Sequence, residues 1–372
     1  MKTIQHVFSV VPDCHAKAGH YSTVWHNHFN EALRAVTRRL TLPQDLDFTW
    51  ARAVGVDAGE IARERATTSE RLGEQIRREH AAHGLDAVIS CCFSVDVETE
   101  LVKQTIQSGV PWINFYCDST HRFPEVEALA RVASLNWFPE HAAIERYAAL
   151  GTPFFCRPYA YNPNFLPDLS GRAFHRKVGF IGVPTTNRIT QLGWLLLFGS
   201  DVAIRGHRWV GEGANPFFNP IPARVRFWQA LRQPGLFEKG IRRCFWPSVR
   251  KRAEGALGNN EFFDFIGNTQ ITLGLNQGRD ERGRLLSYMK LRDLEFPGYG
   301  CCYLTEHNQD IAEALEVGRE VLTCHSMIDA AAQIRELQDQ PERARAIGRA
   351  GRQRVLASHT WAARLPELAA RL

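Results

Sequence analysis

The densest chemistry in the chain lies in the stretch KLRDLEFPGYGCCYLTE, residues 290–306. Lys290, Arg292 and Glu295 fall within six positions, and Arg292 and Glu295 are spaced to share one face of a helix. A carboxylate so placed can accept both hydroxyls of a ribose, while lysine and arginine can bind a diphosphate. Gly298 and Gly300 allow a tight turn or the close approach of a ligand. The same residues also describe a plain surface helix with one Arg–Glu pair and a glycine end. Spacing alone leaves both readings open.

A second candidate is GFIGVPTTNR, residues 179–188. Its glycines, Gly182 among them, close an apolar run before a helical one, where backbone N–H groups can meet a phosphate. The pattern is not G-x-G-x-x-G, and the next apolar run, DVAIRGHRW, ends without an acidic residue to hold a ribose, so a nicotinamide or flavin site is disfavoured. No G-x-x-x-x-G-K-[ST] and no G-x-S-x-G occurs, which argues against a P-loop and a hydrolase elbow. The nine cysteines form no C-x-x-C pair. Cys91–Cys92 and Cys301–Cys302 are neighbours in strand-like runs and point to opposite faces, so no metal site is expected.

These residues need elements to hold them. In the first half, IQHVFSVV (4–11), LDAVISCCFS (85–94), VPWINFYCD (110–118), ASLNWFP (133–139) and TPFFCRPYAY (152–161) read as strands. Helical stretches at 22–40, 97–109 and 140–151 lie among them. Residues 162–176 carry no period and read as a linker. A second alternation follows, with strands at 177–183, 201–207, 269–276, 301–305 and 319–324. Helices are predicted at 187–199, over most of 285–300, and at 310–318, 327–338 and 341–358. Strand–helix alternation implies parallel sheets covered on both faces. The expected architecture is α/β, with two Rossmann-like domains in tandem and the ligand in the cleft between them, beyond the carboxyl ends of the strands. The expected boundaries are 1–165, a linker at 166–176, and 177–358, with a helix at 359–372 packing back on the first domain.

With 372 residues, 44% hydrophobic and 23% charged, the chain can build two ordinary cores. A net charge of +5 and a pI near 8.7 are too mild for a dedicated nucleic-acid binder but suit an anionic ligand. No signal peptide and no run of about 18 apolar residues is seen, so a cytoplasmic protein is expected. An insertion at 211–262 breaks the pattern, mixing Phe and Trp with Arg and Lys over 227–252. It reads either as a core-facing amphipathic helix or as a surface for a membrane or an acidic partner, which would place the protein at the inner membrane face.

Four pieces in order, VGFIGVPTTNR (178–188), KLRDLEFPGYGCCYLTE (290–306), DIAEALEVGREVL (310–322) and PERARAIGRAGRQRVLASHTWAARL (341–365), resemble the CgeB-type glycosyltransferases within the GT-B group that includes the retaining family-4 enzymes. The resemblance implies the GT-B fold and hexosyl transfer from a nucleoside-diphosphate sugar, with no metal or other cofactor. By resemblance, Glu295 is the second glutamate of an E-x7-E motif and binds the donor ribose. Lys290 and Arg292 lie in the K-x-R-x-x-E pattern, and Arg188 lies in the phosphate-side loop. The first glutamate of the motif falls at Ser287, a departure that bears on how the donor sugar is held.

In such an enzyme, Lys290, Arg188 and the helix after Gly182 would stabilise the leaving diphosphate. The expected donor set is Gly182, Arg188, Ser287, Lys290, Arg292, Glu295, Gly298 and Gly300. In an inverting enzyme a base from the first domain would be needed, with Asp96, Asp118, His121 and His20 as candidates. His26 and His28 read as non-catalytic, and His359 as an anchor for the last helix. Two further readings stand beside transfer: a non-catalytic nucleotide or glycan binder, suggested by Ser287, and a membrane or nucleic-acid surface binder acting through 224–252. The acceptor, a glycan, lipid-linked glycan, protein or small molecule, is not legible.

Overall fold

A computed structural model describes residues 3–11, 26–52, 57–211, 236–279 and 285–372. The chain forms two compact units: Met1–Pro167 with Tyr288–Leu291 and Val355–Leu372, and Asp168–Ser287 with Arg292–Arg354.

The first unit holds six parallel strands, β1 His6–Val10, β2 Arg39–Thr41, β3 Ala87–Ser90, β4 Trp112–Phe115, β5 Leu135–Phe138 and β6 Phe154–Cys156, in the order β2-β1-β3-β4-β5-β6. Every residue of β3, β4 and β5 is buried, as expected of strands covered on both faces. Helices Thr99–Gln107, Ser119–Ala130 and Ile144–Ala149 make the crossovers between them. The longest crossover helix, Ala58–His83, falls in a stretch for which the sequence reading assigned no element. Its start is nonetheless signalled: the Asp57 side chain accepts the Gly59 N–H at 2.8 Å, and Leu72 and Ile76 mark its buried face. The helix expected through 22–40 is shorter among the described residues. A wide turn at His26–Asn30 leads into helix Glu31–Val36, and then Arg39–Thr41 pairs with β1 instead of continuing the helix. The final helix, Trp361–Ala369, also belongs to this unit. Trp361 packs edge-on to Phe29 and Trp137, and its indole N–H donates to the His28 carbonyl at 2.6 Å.

The second unit holds β7 Arg176–Ile181, β8 Val202–Arg205, β9 Ala253–Glu254, β10 Thr269–Gly274, an antiparallel hairpin of β11 Gln277–Arg279 with β12 Leu285–Ser287, then β13 Tyr303–Glu306 and β14 Leu322–Cys324. Its main sheet is parallel throughout, in the order β14-β13-β10-β7-β8-β9. Val178, Phe180, Ile204, Ile271, Leu273 and Leu304 form the sheet's part of the core.

One expectation fails here. Residues 285–300 are not mostly helical. Leu285–Ser287 is a strand held by Gln277–Arg279, and the helix is only Arg292–Gly298. The four residues between belong to the first unit, where Lys290 meets Asp118 and the Leu291 carbonyl accepts the Tyr161 hydroxyl. Tertiary contacts override helical spacing over this segment. Among the described residues no helix is long and apolar enough to cross a membrane.

Candidate functional site

In the second unit the strand order reverses at β7, with β8 on one side and β10 on the other, so the switch point lies beyond the carboxyl ends of β7 and β10. There β7 runs out through Gly182–Thr185 into helix Thr186–Leu197. The loop is tightly specified. The Gly182 N–H donates to the Arg205 carbonyl at 2.9 Å, and its own carbonyl accepts the Trp209 indole at 2.5 Å. Gly206 sits at φ 145°, and a Cβ there would collide with the Gly182 carbonyl, so the position requires glycine. Thr185 caps the helix, its hydroxyl accepting the Arg188 N–H.

Two arginines converge on this loop. A Cβ built on Gly182 would lie 3.1 Å from Nη1 of Arg188 and 3.3 Å from Nη1 of Arg292. Arg188 donates from Nε to the Leu275 carbonyl at 3.0 Å and from Nη1 to the Val183 carbonyl at 3.1 Å. Arg292 donates to the Ile181 carbonyl at 2.6 Å. These bonds fix the direction of the two guanidinium groups. Together with the helix N-terminus they make a cationic wall suited to an anion.

Glu295 lies one turn along helix Arg292–Gly298, and the Tyr299 hydroxyl donates to its carboxylate at 2.8 Å. Burial pushes its pKa up, opposed by that bond and by the Arg292 charge. Ser287 ends β12 with its hydroxyl buried and without a hydrogen-bond partner. The two other glycines have protein neighbours. The Gly298 carbonyl accepts the Arg352 guanidinium. Gly300, at φ 81°, lets the chain reverse towards β13, and a Cβ there would meet Ser170 and Asp168 at 3.0 and 3.2 Å. Their observed work is turning and packing.

A polar network absent from the sequence reading backs this wall. Asp293 is fully buried and accepts from Asn276 Nδ2 at 2.5 Å and from the Tyr303 hydroxyl at 2.6 Å. Glu306 accepts the Asn276 N–H at 2.8 Å and Gln191 Nε2 at 2.5 Å, and burial pushes its pKa up. Asn276 Oδ1 and Gln191 Oε1 are buried without a partner. The signal available in the sequence was a carboxylate at the end of an apolar strand, in CCYLTE.

Lys290 belongs to the first unit. Its ammonium is paired with Asp118 and lies 4.1 Å from the Tyr288 ring centroid. Asp118 follows β4 at φ 60° and leads into helix Ser119–Ala130. Burial would raise its pKa, but the Lys290 charge and hydrogen bond hold it below the usual carboxylate value. Burial works against the charged form of Lys290 too, yet Asp118 and Tyr288 raise its pKa. His121 lies beside them, its ring 5.3 Å from Tyr288 and its Nδ1 buried without a partner. Burial lowers its pKa, with Asp118 opposing.

The remaining candidates have structural contacts of their own. Asp96 accepts the Phe93 N–H at 2.7 Å and shapes a turn. His28, whose pKa burial lowers to about 4, accepts the Asn162 N–H on Nδ1. His26 is 3.7 Å from Glu31, and the His359 carbonyl accepts the Tyr161 N–H at 2.8 Å. His20 and residues 212–235 of the basic aromatic segment lie outside the described residues.

The sequence of residues 217–370 matches a family model described as glycosyl transferase-like. Solved structures share the fold over nearly their whole length. Sucrose-phosphate synthase from Thermosynechococcus elongatus is 13% identical with a TM-score of 0.61, covering 98% of each chain. This chain has the GT-B fold. The lipopolysaccharide outer core galactosyltransferase WaaB is 11% identical to this GT-B chain with a TM-score of 0.56, covering 99% of each. HepE of Anabaena in complex with UDP-glucose is 10% identical with a TM-score of 0.53, covering 99% of this chain and 100% of that one. No curated protein matches the sequence.

Proposed function

We propose that this GT-B chain transfers a hexosyl group from a nucleoside-diphosphate sugar to a hydroxyl-bearing acceptor, with retention and without a metal ion. The observation that carries the proposal is the convergence of Arg188 and Arg292 on Gly182, at a helix N-terminus and a topological switch point. UDP-glucose in HepE and the galactosyltransferase WaaB support a donor of this class. Glu295 would accept the ribose hydroxyls, and the two guanidinium groups would lie against the diphosphate.

In the reaction the bond from the sugar's anomeric carbon to the β-phosphate oxygen breaks, and its electron pair stays on the phosphate. Arg188, Arg292 and the helix N-terminus stabilise that developing charge. The acceptor oxygen forms the new bond on the same face, and its proton passes to the leaving phosphate.

The test is a screen of UDP-, GDP- and dTDP-sugars for thermal stabilisation and release of free nucleoside diphosphate, with and without EDTA, and NMR of the product's anomeric centre. Absence of any stabilisation or release would refute the proposal. Binding without release would leave a nucleotide binder, the reading that Ser287 favours. Loss of release in EDTA would refute metal independence. An inverted product would refute retention.

A further inference from the structure

Helix Leu236–Arg252 packs on helix Thr186–Leu197 so closely that a Cβ on Gly193 would occupy the space of the Phe245 ring. Its inward face is set by Arg242, Phe245, Trp246 and Val249, spaced i, i+3, i+4 and i+7. Three of these four are apolar. Arg242, only 7% exposed, is a cation on an apolar stripe, a placement that costs free energy and calls for a reason.

Its contacts supply one. Arg242 Nη1 donates to the Thr186 hydroxyl at 2.6 Å, in the first turn of the helix that closes the Gly182 loop. One turn further on, Trp246 stacks on Trp209 with ring centroids 6.1 Å apart and planes 18° apart. Trp209 is fully buried, and its indole N–H donates to the Gly182 carbonyl. One helix therefore grips both ends of the loop, Gly182 through two tryptophans and Thr186 through an arginine.

We propose that Arg242 and Trp246 are positioning residues for the donor diphosphate. They hold the backbone N–H groups of Val183, Thr185 and Thr186 and the Arg188 guanidinium in the shape that receives it. The inference rests on the nucleotide-sugar reading above and deepens it. It gives helix Leu236–Arg252 a role in donor affinity distinct from core-facing packing and from contact with a membrane.

The experiment measures binding of UDP, GDP and dTDP by calorimetry, using whichever binds the unaltered protein. It compares Arg242→Gln, Thr186→Val, the double variant and Arg188→Gln. Arg242→Gln and Thr186→Val should each weaken binding by about tenfold, the loss expected for one charge-assisted hydrogen bond. The double variant should lose little more than either single variant, because the two side chains form one interaction. KM for the donor should rise and kcat should fall with it, because the same groups meet the charge that develops on the leaving phosphate. Millimolar guanidinium should restore part of the affinity of Arg242→Gln but none of that of Thr186→Val. A purely structural role would lower the ligand-free melting temperature without these signatures. Thr186→Val removes one hydroxyl from a half-buried position, so it keeps the test open if Arg242→Gln does not fold.

Binding within twofold of the unaltered protein in Thr186→Val, or full additivity in the double variant, would overturn the inference. If Arg188→Gln alone loses binding, the inference fails while the nucleotide-sugar reading stands. If the unaltered protein binds none of the three, that reading fails, and the inference with it.

Discussion

Replacing Lys290 with methionine separates two roles that its position in the sequence superimposes, a ligand for diphosphate and a partner for Asp118. The Lys290 and Asp118 side chains are 23% and 27% exposed, so their pair lies between the surface and the interior. Exposed pairs contribute about 0–1 kcal/mol, whereas stripping one partner from a buried pair costs about 3–5 kcal/mol. Lys290→Met, which leaves Asp118 charged and unpaired, should therefore cost about 2 kcal/mol, or roughly 4–8 °C in melting temperature for a unit of this size.

The pH dependence has a definite sign. Asp118 is held below its ordinary pKa, so its contribution is present above the unfolded carboxylate value and is lost as pH falls through the folded one. Lys290 is raised, so its contribution is present below the unfolded lysine value and is lost as pH rises through the folded one. The Lys290→Met penalty should be full from about pH 4 to about pH 10 and vanish once Asp118 is protonated.

Adding Asp118→Asn, a side chain that tolerates the left-handed backbone at this position, should recover most of the stability. The assay is thermal unfolding at pH 7 and pH 3, with donor binding measured on the same variants. Equal penalties at both pH values would refute the ion-pair reasoning. Recovery of stability in the double variant without recovery of nucleotide affinity would return Lys290 to the donor site.

Three further outcomes are expected. Glu295→Gln should weaken nucleoside-diphosphate binding by about tenfold, since a neutral amide accepts ribose hydroxyls less strongly than a carboxylate; calorimetry with UDP or GDP checks this. Gly206→Ala should cost about 3 kcal/mol or more, because strain at φ 145° adds to collision with the Gly182 carbonyl; loss of both melting temperature and donor binding is the readout. Tyr303→Phe removes a donor to the buried Asp293 carboxylate and should cost about 1–3 kcal/mol in denaturant unfolding at pH 7.

Much of the fold was legible because strands such as Ala87–Ser90 and Leu135–Phe138 are buried on both faces and read as continuous apolar runs. Helix Ala58–His83 was not, because its surface is mostly charged and its buried face includes Thr68 and Ser69, which carry no apolar period. At the site, Gly182, Arg188, Arg292 and Glu295 could be picked out because their types and order carry the resemblance, and the first three meet in space. Lys290 was grouped with Arg292 by the K-x-R-x-x-E pattern of the resemblance, whereas its partner is Asp118, 172 positions away, a distance that no local pattern encodes. Asp293, Asn276 and Gln191 were invisible for a related reason. They matter through one another, and the packing of two helices against the end of β10, not sequence proximity, brings them together.

The path of the chain through its two units bears on how the protein can be made. The first unit takes Met1–Pro167, then Tyr288–Leu291, then Val355–Leu372. On the ribosome, the segment that supplies Trp361 to Phe29 and Trp137 emerges only after the whole of the second unit has been translated. The half that starts first is thus finished last, and its aromatic core must wait, incompletely covered, while the other sheet folds. A nascent chain paused near residue 167 holds all six strands of that sheet but not the helix that seals it, which makes that stage the point of greatest demand for a chaperone.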